Sequence, residues 1–196
     1  MAMLSRPVYG KLSAQAGTHH LFIADAEGAS AILAMAKQAP QDFFASAEIM
    51  YIPGSAGNKY VAGLEALVPG RFYQGPSIAA AMPRLRHIFE NAHMGLRLYL
   101  TGTEGLIGQV SQIAADAGIE HSAIQTEHRG SLARRVQCVH CKGITENVTT
   151  QPVRCSHCGL LLLVRDHYSR RHAAFQGVCI NAEDPSENPP AEEIFR

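Results

Sequence analysis

Four of the five cysteines form two Cys-x-x-Cys pairs, Cys138-Val139-His140-Cys141 and Cys155-Ser156-His157-Cys158, about a dozen residues apart. At that spacing two tight turns can present four thiolates tetrahedrally to one ion, so Cys138, Cys141, Cys155 and Cys158 are the candidate metal ligands. A turn residue follows each pair, at Lys142-Gly143 and at Gly159, where the backbone must curl back towards the sulfurs. His140 and His157 lie inside the knuckles, where side chains point away from an ion, and are not counted as ligands. Four thiolates around a divalent cation leave a charge near minus two, which Arg134, Arg135, Lys142 and Arg154 are placed in sequence to offset. The same sulfurs can hold zinc or iron. Iron sites of this kind are wrapped in aromatic rings, and no Phe, Tyr or Trp occurs between Val136 and Val164, so structural zinc is expected. Cys179 stands outside the arrangement. Asp166, His167, Tyr168 and Ser169 carry catalytic residue types, but sequence neighbours cannot converge on one substrate without an unusual turn; Arg165 to Arg171 reads as a polar docking surface. No catalytic residue and no organic-cofactor ligand is assigned.

The composition narrows what these groups can serve. The chain has 196 residues, 46% hydrophobic and 17% charged, which excludes wholesale disorder. Seventeen basic residues balance seventeen acidic ones, so no long-range field draws the molecule to nucleic acid or an anionic membrane. The longest apolar candidate, Leu160 to Val164, is far shorter than a membrane span. The first residues show no basic segment followed by an apolar one, so a cytoplasmic, reducing location is expected, where paired cysteines bind metal rather than form disulfides. From Arg129 to Phe175 eight Lys and Arg face two acids, which keeps a zinc-ribbon nucleic-acid binder as an alternative.

The elements that must position these groups fall into three parts. Over 1–129, short apolar runs alternate with helical patterns: strands at 20–24, 47–52, 71–74, 96–100 and 122–126, and helices after Gly28, around Ile78, Met82, Leu85 and Phe89, and after Thr103. Pro83 makes the start of the middle helix uncertain from sequence. Strands alternating with helices predict an α/β domain with a doubly wound parallel sheet. The composition then changes: 130–180 reads as a small four-cysteine zinc-ribbon and docking module. The acidic, proline-containing 181–196 reads as a mobile tail.

The first part is similar to the nicotinamide-binding half of the ferredoxin reductase superfamily. HLFIADAEGASAILAMA stands where that family has strand, glycine-rich turn and helix, and LRLYLTGTEGLIGQVSQIAADAGIEHSAIQTE where it has its terminal strand, Cys-Gly-Pro turn, helix and closing strand. The departures fall on the cofactor site. The glycine-rich turn is Ala24-Asp25-Ala26-Glu27-Gly28, whose two carboxylates would repel a pyrophosphate, and the Cys-Gly-Pro turn is Thr101-Gly102-Thr103. About twenty residues precede the domain, so no flavin-binding barrel is expected ahead of it. The reductase-like fold is therefore expected to persist with its nicotinamide site degenerate; a free-standing nicotinamide reductase is the remaining alternative.

Taken with CVHC, CSHCG and RDHYSRR, the whole chain resembles the small accessory (A-type) subunit of bacterial haem-dependent dimethylamine monooxygenase. The resemblance implies a noncatalytic part in a multicomponent oxidative N-demethylation. The implied partners are a haem-bearing catalytic subunit and a reductase subunit carrying flavin and an iron-sulfur cluster, and this chain assists their assembly or docking.

Overall fold

Strand β1 (His19–Asp25) is buried along almost its whole length, as a strand flanked on both edges and covered on both faces must be. In the computed structural model, which describes residues 5–196, β1 pairs in parallel with β2 (Ala47–Ile52) on one side and β4 (Leu96–Gly102) on the other. Strands β3 (Phe72–Gln74) and β5 (Ile124–His128) close the edges in the order β3-β2-β1-β4-β5, all parallel. The chemical alternation of the strands builds two cores. Phe22, Ala24, Ile49, Tyr51 and Tyr99 meet helices α1 (Ala29–Ala36) and α2 (Val61–Leu67); Leu21, Ile23, Met50, Leu98 and Leu100 meet α3 (Ile78–Glu90) and α4 (Glu104–Asp116). Phe22 and Tyr99, neighbours across the β1–β4 ladder, stack with centroids 4.3 Å apart.

The doubly wound parallel sheet is thus present, with three local differences from the sequence pattern. Helix α3 runs unbroken through Pro83, capped by Ser77, whose hydroxyl accepts from Ala80 N–H at 3.1 Å. An internal proline costs about 3 kcal/mol. Burying Leu85 and Phe89 offsets it, at roughly 1.5–3 kcal/mol each. The short helix α2 follows the loop after β2 and escapes detection because seven residues show too little periodicity. The last strand begins at Ile124 rather than Ser122, since His121–Ala123 form a tight helical turn.

The chain divides into Tyr9–Gly130 and a second unit of Ser131–Arg196 with the described residues up to Val8. The second unit's sheet has the order β7-β6-β11-β10-β9: β7 (Ile144–Val148), β6 (Arg134–Cys138), β11 (Ala174–Cys179), β10 (Leu161–Ser169) and β9 (Val153–Arg154). A small ribbon joins β8 (Thr150–Gln151) to β12 (Glu192–Glu193). The apolar run read at Leu160–Val164 is the first half of β10, which continues through Asp166 to Ser169 across a bulge between Arg165 and Tyr168.

Composition alone misplaces both ends of this unit. The first described residues belong here and not to the α/β domain: Ser5 N–H donates to Asp166 O, Tyr168 N–H donates to Ser5 O, and Arg6 pairs with the Asp166 carboxylate. The acidic tail is ordered at its end, where Glu192 and Glu193 pair with Gln151 and Thr150 and Phe195 is buried in the core. Its anchor is Arg134. The guanidinium lies between the Phe175 and Phe195 rings, 4.1 and 4.0 Å from their centroids, and pairs with Asp166 at 2.9 Å. Among the described residues no helix is long and apolar enough to cross a membrane.

The hydrogen bond from Arg6, joined by Arg134, holds the Asp166 carboxyl below the usual range and outweighs the opposing effect of burial. A depressed folded-state pKa contributes stability above the unfolded value, near 4, and loses it as pH falls towards the folded one. Asp166→Asn is therefore expected to destabilise the second unit by about 2 kcal/mol at pH 7 and by less at pH 3. Denaturant melts at the two pH values check this; an equal deficit at both would assign the loss to packing instead.

Candidate metal centre

Each Cys-x-x-Cys pair sits on a turn made by its own backbone. In the first, Cys138 ends β6; Lys142 N–H donates to Cys138 O and Cys138 N–H to Gly143 O, both at 2.9 Å. In the second, Gly159 N–H donates to Cys155 O at 3.0 Å and Cys155 N–H to Leu160 O at 2.9 Å. The left-handed residue of the first turn is Lys142 (φ +65°), not the glycine beside it. Gly143 is required for a different reason: a Cβ there would lie 2.5 Å from the ring of His157, which packs on it from the opposite knuckle. In the second turn Gly159 itself takes the left-handed conformation (φ +75°).

These turns bring all four sulfurs within 4.8 Å of one another, with Cys138–Cys158 at 3.8 Å and Cys141–Cys155 at 3.6 Å. A tetrahedral ion with metal–sulfur bonds of about 2.3 Å has edges near 3.8 Å, so the donor set could hold such an ion. Gly143 N–H already points at Cys141 Sγ, at 3.4 Å. The thiols resist ionising together. Burial pushes the Cys155 thiol up, but N–H groups of Cys158 and His157 and the neighbouring thiols outweigh it and bring it to about 6. At Cys158 the Leu160 N–H favours the thiolate, yet burial and the hydrogen bonds with Cys141, Cys155 and Cys138 push it to about 12. Full ionisation of the set calls for a cation. It is the only group of three or more metal-ligating side chains so arranged among the described residues.

The residues around the cluster differ in part from their sequence roles. One ring nitrogen of His157 lies 3.0 Å from Ile144 O, and His140 is exposed. Lys142 Nζ donates to Val139 O and Arg154 to Gly159 O, so both stay on the knuckle backbone. Arg134 and Arg135 do not offset the thiolates as expected. Their charges are matched by Asp166 and Glu146, the latter at 2.8 Å, because a largely buried guanidinium needs a carboxylate at contact distance. Cys179 lies apart, 3.4 Å from Asn181 Oδ1.

The α/β unit has its own candidate site at the carboxyl ends of β1 and β4, the switch point where such sheets seat dinucleotides. Here the chain's own side chains occupy the turns. Asp25 accepts from Thr103 N–H at 2.8 Å and from Thr103 Oγ1 at 2.6 Å; burial pushes its carboxyl up, against those same hydrogen bonds. Glu27 accepts from Tyr60 O–H and from Lys59 Nζ, which lower its pKa, and Tyr51 O–H donates to Ala26 O at 3.0 Å. The glycines serve packing: a Cβ on Gly28 would fall 2.3 Å from Thr101 O, and one on Gly102 would fall 1.7 Å from Asp25 Oδ1. Two carboxylates at the turn fit a pyrophosphate poorly. At the opposite edge of the sheet an open groove of about 450 Å³ is lined by His19, His87 and His93, a grouping that their sequence separation conceals.

Comparison with known proteins places the chain. Residues 1–124 match the family described as dimethylamine monooxygenase subunit DmmA-like, N-terminal domain, and residues 135–178 match the corresponding C-terminal domain. Over 110 residues the chain is 34% identical to the heme-dependent oxidative N-demethylase delta subunit of Ectopseudomonas mendocina (strain ymp). That stretch covers 56% of this chain and 63% of the relative, less than two thirds of its length. Among solved structures, phthalate dioxygenase reductase is 14% identical with a TM-score of 0.46, covering 74% of this chain and 46% of its own. An intact type IV self-sufficient cytochrome P450 monooxygenase is 18% identical with a TM-score of 0.45, covering 81% and 20%.

The contact between Gly143 and His157 generates a test of how the knuckles are held. Gly143→Ala is expected to cost the second unit about 1–3 kcal/mol through overpacking, and the double variant Gly143→Ala/His157→Ala to recover most of it. Unfolding midpoints of the three proteins decide; a neutral single variant would show that the ring is free to move.

Proposed function

The chain belongs to the dimethylamine monooxygenase subunit DmmA-like family, and on that premise we propose that it is a noncatalytic accessory subunit of a haem-dependent oxidative N-demethylase system. Its role is to assist assembly or docking between a haem-bearing catalytic subunit and a reductase subunit carrying flavin and an iron-sulfur cluster, in the cytoplasm. The observation that carries this reading is the state of the carboxyl edge. The place where a reductase-like sheet would hold nicotinamide is taken up by Asp25 on Thr103 and by Glu27 on Lys59 and Tyr60.

The reading assigns Cys138, Cys141, Cys155 and Cys158 to one structural zinc ion. Zinc in a closed four-thiolate site contributes folding energy and leaves no position for substrate. The chain's own part is to hold four sulfurs at tetrahedral separations and to seat Cys138 and Cys155 in the apolar core with Val136, Leu162 and Val164. Zinc is favoured over iron because no aromatic residue lies between Val136 and Val164, and two rings of that core, Phe175 and Phe195, are engaged with Arg134.

Four measurements follow from this reading. Elemental analysis of the purified protein should give about one zinc per chain and a colourless solution; equimolar iron with a visible thiolate band would make the chain an electron carrier. Cys138→Ser should raise amide exchange in β6, β10 and β11 by on the order of a hundredfold while leaving the Tyr9–Gly130 unit unchanged. The same variant should fail to copurify with the haem and reductase subunits. Calorimetric titration with NADPH should give no micromolar binding, and such binding would revive the free-standing reductase reading.

A further inference from the structure

The geometry points to the tip of the β10–β11 hairpin, through Arg165, Arg170 and Arg171, as the surface that takes an acidic face of a partner protein, an inference that rests on the accessory-subunit reading. The three residues are exposed, and none is in an ion pair among the described residues. The acid that stands among them in sequence does not neutralise them. Asp166 is held by Arg134 at 2.9 Å and by Arg6, two guanidinium groups on one carboxylate. The strip therefore presents an excess of cation that the unit does not satisfy internally.

The strip is also held in shape. β10 and β11 remain paired to Ser169 and Ala174, the last step before the turn. His172 N–H closes the turn on Ser169 O at 3.3 Å, and Arg135 reaches across to donate to His172 O at 2.9 Å. Ala173, buried and left-handed at φ +47°, packs the returning chain against the unit. A tip fixed in this way loses little backbone freedom on docking. At about 3.3 Å per residue the cationic strip from Arg165 to the turn is roughly 15 Å long.

Its chemistry suits carboxylates on a protein better than a nucleic acid. Guanidinium forks match carboxylates bidentately, and a strip of this length fits a compact acidic patch. A polyanion needs a longer cationic track and stacking rings. The same unit carries Glu183, Asp184, Glu187, Glu192 and Glu193, so its nine basic residues over 5–8 and 131–196 face seven acidic ones. Tyr168 is no stacking platform, because it packs edge-on against Phe175 at 5.1 Å.

The test uses the full chain with Arg165, Arg170 and Arg171 all replaced by Gln, and measures association with the purified haem and reductase subunits over a series of NaCl concentrations. The wild-type association rate with one of them should fall steeply with salt. The variant's should be roughly tenfold lower at low salt and nearly flat, with unfolding midpoint and metal content unchanged. If both proteins associate alike, the inference is overturned while the accessory reading stands. If wild type associates with neither subunit, the accessory reading itself fails and takes the inference with it. Tighter binding of wild type to a mixed-sequence DNA duplex than to either subunit, lost in the variant, would overturn the protein-docking assignment in favour of nucleic acid.

Discussion

A guanidinium with its side chain only 10% exposed must find a carboxylate, and the second unit is organised around that requirement at Arg134. The pairing draws Asp166 inward from the middle of β10 and joins that strand to β6, where Arg134 lies. The faces of the guanidinium then accept Phe175 from β11 and Phe195 from the end of the chain. Arg6 completes the set from the amino-terminal side. One ion pair thus recruits both ends of the polypeptide and three strands. It also accounts for the basic character of the hairpin, since the acid that would balance Arg165, Arg170 and Arg171 is engaged elsewhere.

The cysteine cluster lies within the same packing. Cys138 and Cys155 belong to the apolar core with Val136, Leu162 and Phe175, so the turns that gather the sulfurs rest on the sheet that Arg134 ties together. Four thiols at these separations oppose one another's ionisation, as the divergence between Cys155 and Cys158 shows. A bound cation would relieve that opposition and make the turns part of the folded unit. The α/β unit carries its polar groups differently. Its carboxyl edge is closed by hydrogen bonds among Asp25, Thr103, Glu27, Lys59 and Tyr60, and no buried side-chain nitrogen or oxygen is left without a partner among the described residues.

What the amino-acid sequence determined by itself was local and periodic. Two Cys-x-x-Cys pairs at ribbon spacing identify the cluster because the ligand geometry of a four-thiolate ion tolerates few alternatives. Apolar runs of strand length at β1, β2 and β4 identify the parallel sheet because strands covered on both faces keep their central positions apolar. The degenerate turn at Asp25 to Gly28 is legible because carboxylates replace glycines where phosphate would approach.

Only the tertiary structure decided which charges meet. Arg134 and Arg135 stand next to Cys138 in sequence but pair with Asp166 and Glu146, since strand pairing, not chain proximity, sets what lies within 3 Å. Phe195 sits in a segment whose composition reads as a tail; a single aromatic becomes an anchor once a cation and a second ring wait for it in space. Gly143 looks like a turn glycine and proves to be a contact glycine, because His157 arrives from the other knuckle. Pro83 leaves the start of its helix open in the sequence, and the burial of Leu85 and Phe89 carries the helix through it. In each case the deciding energy comes from residues far apart in sequence, and no local window contains it.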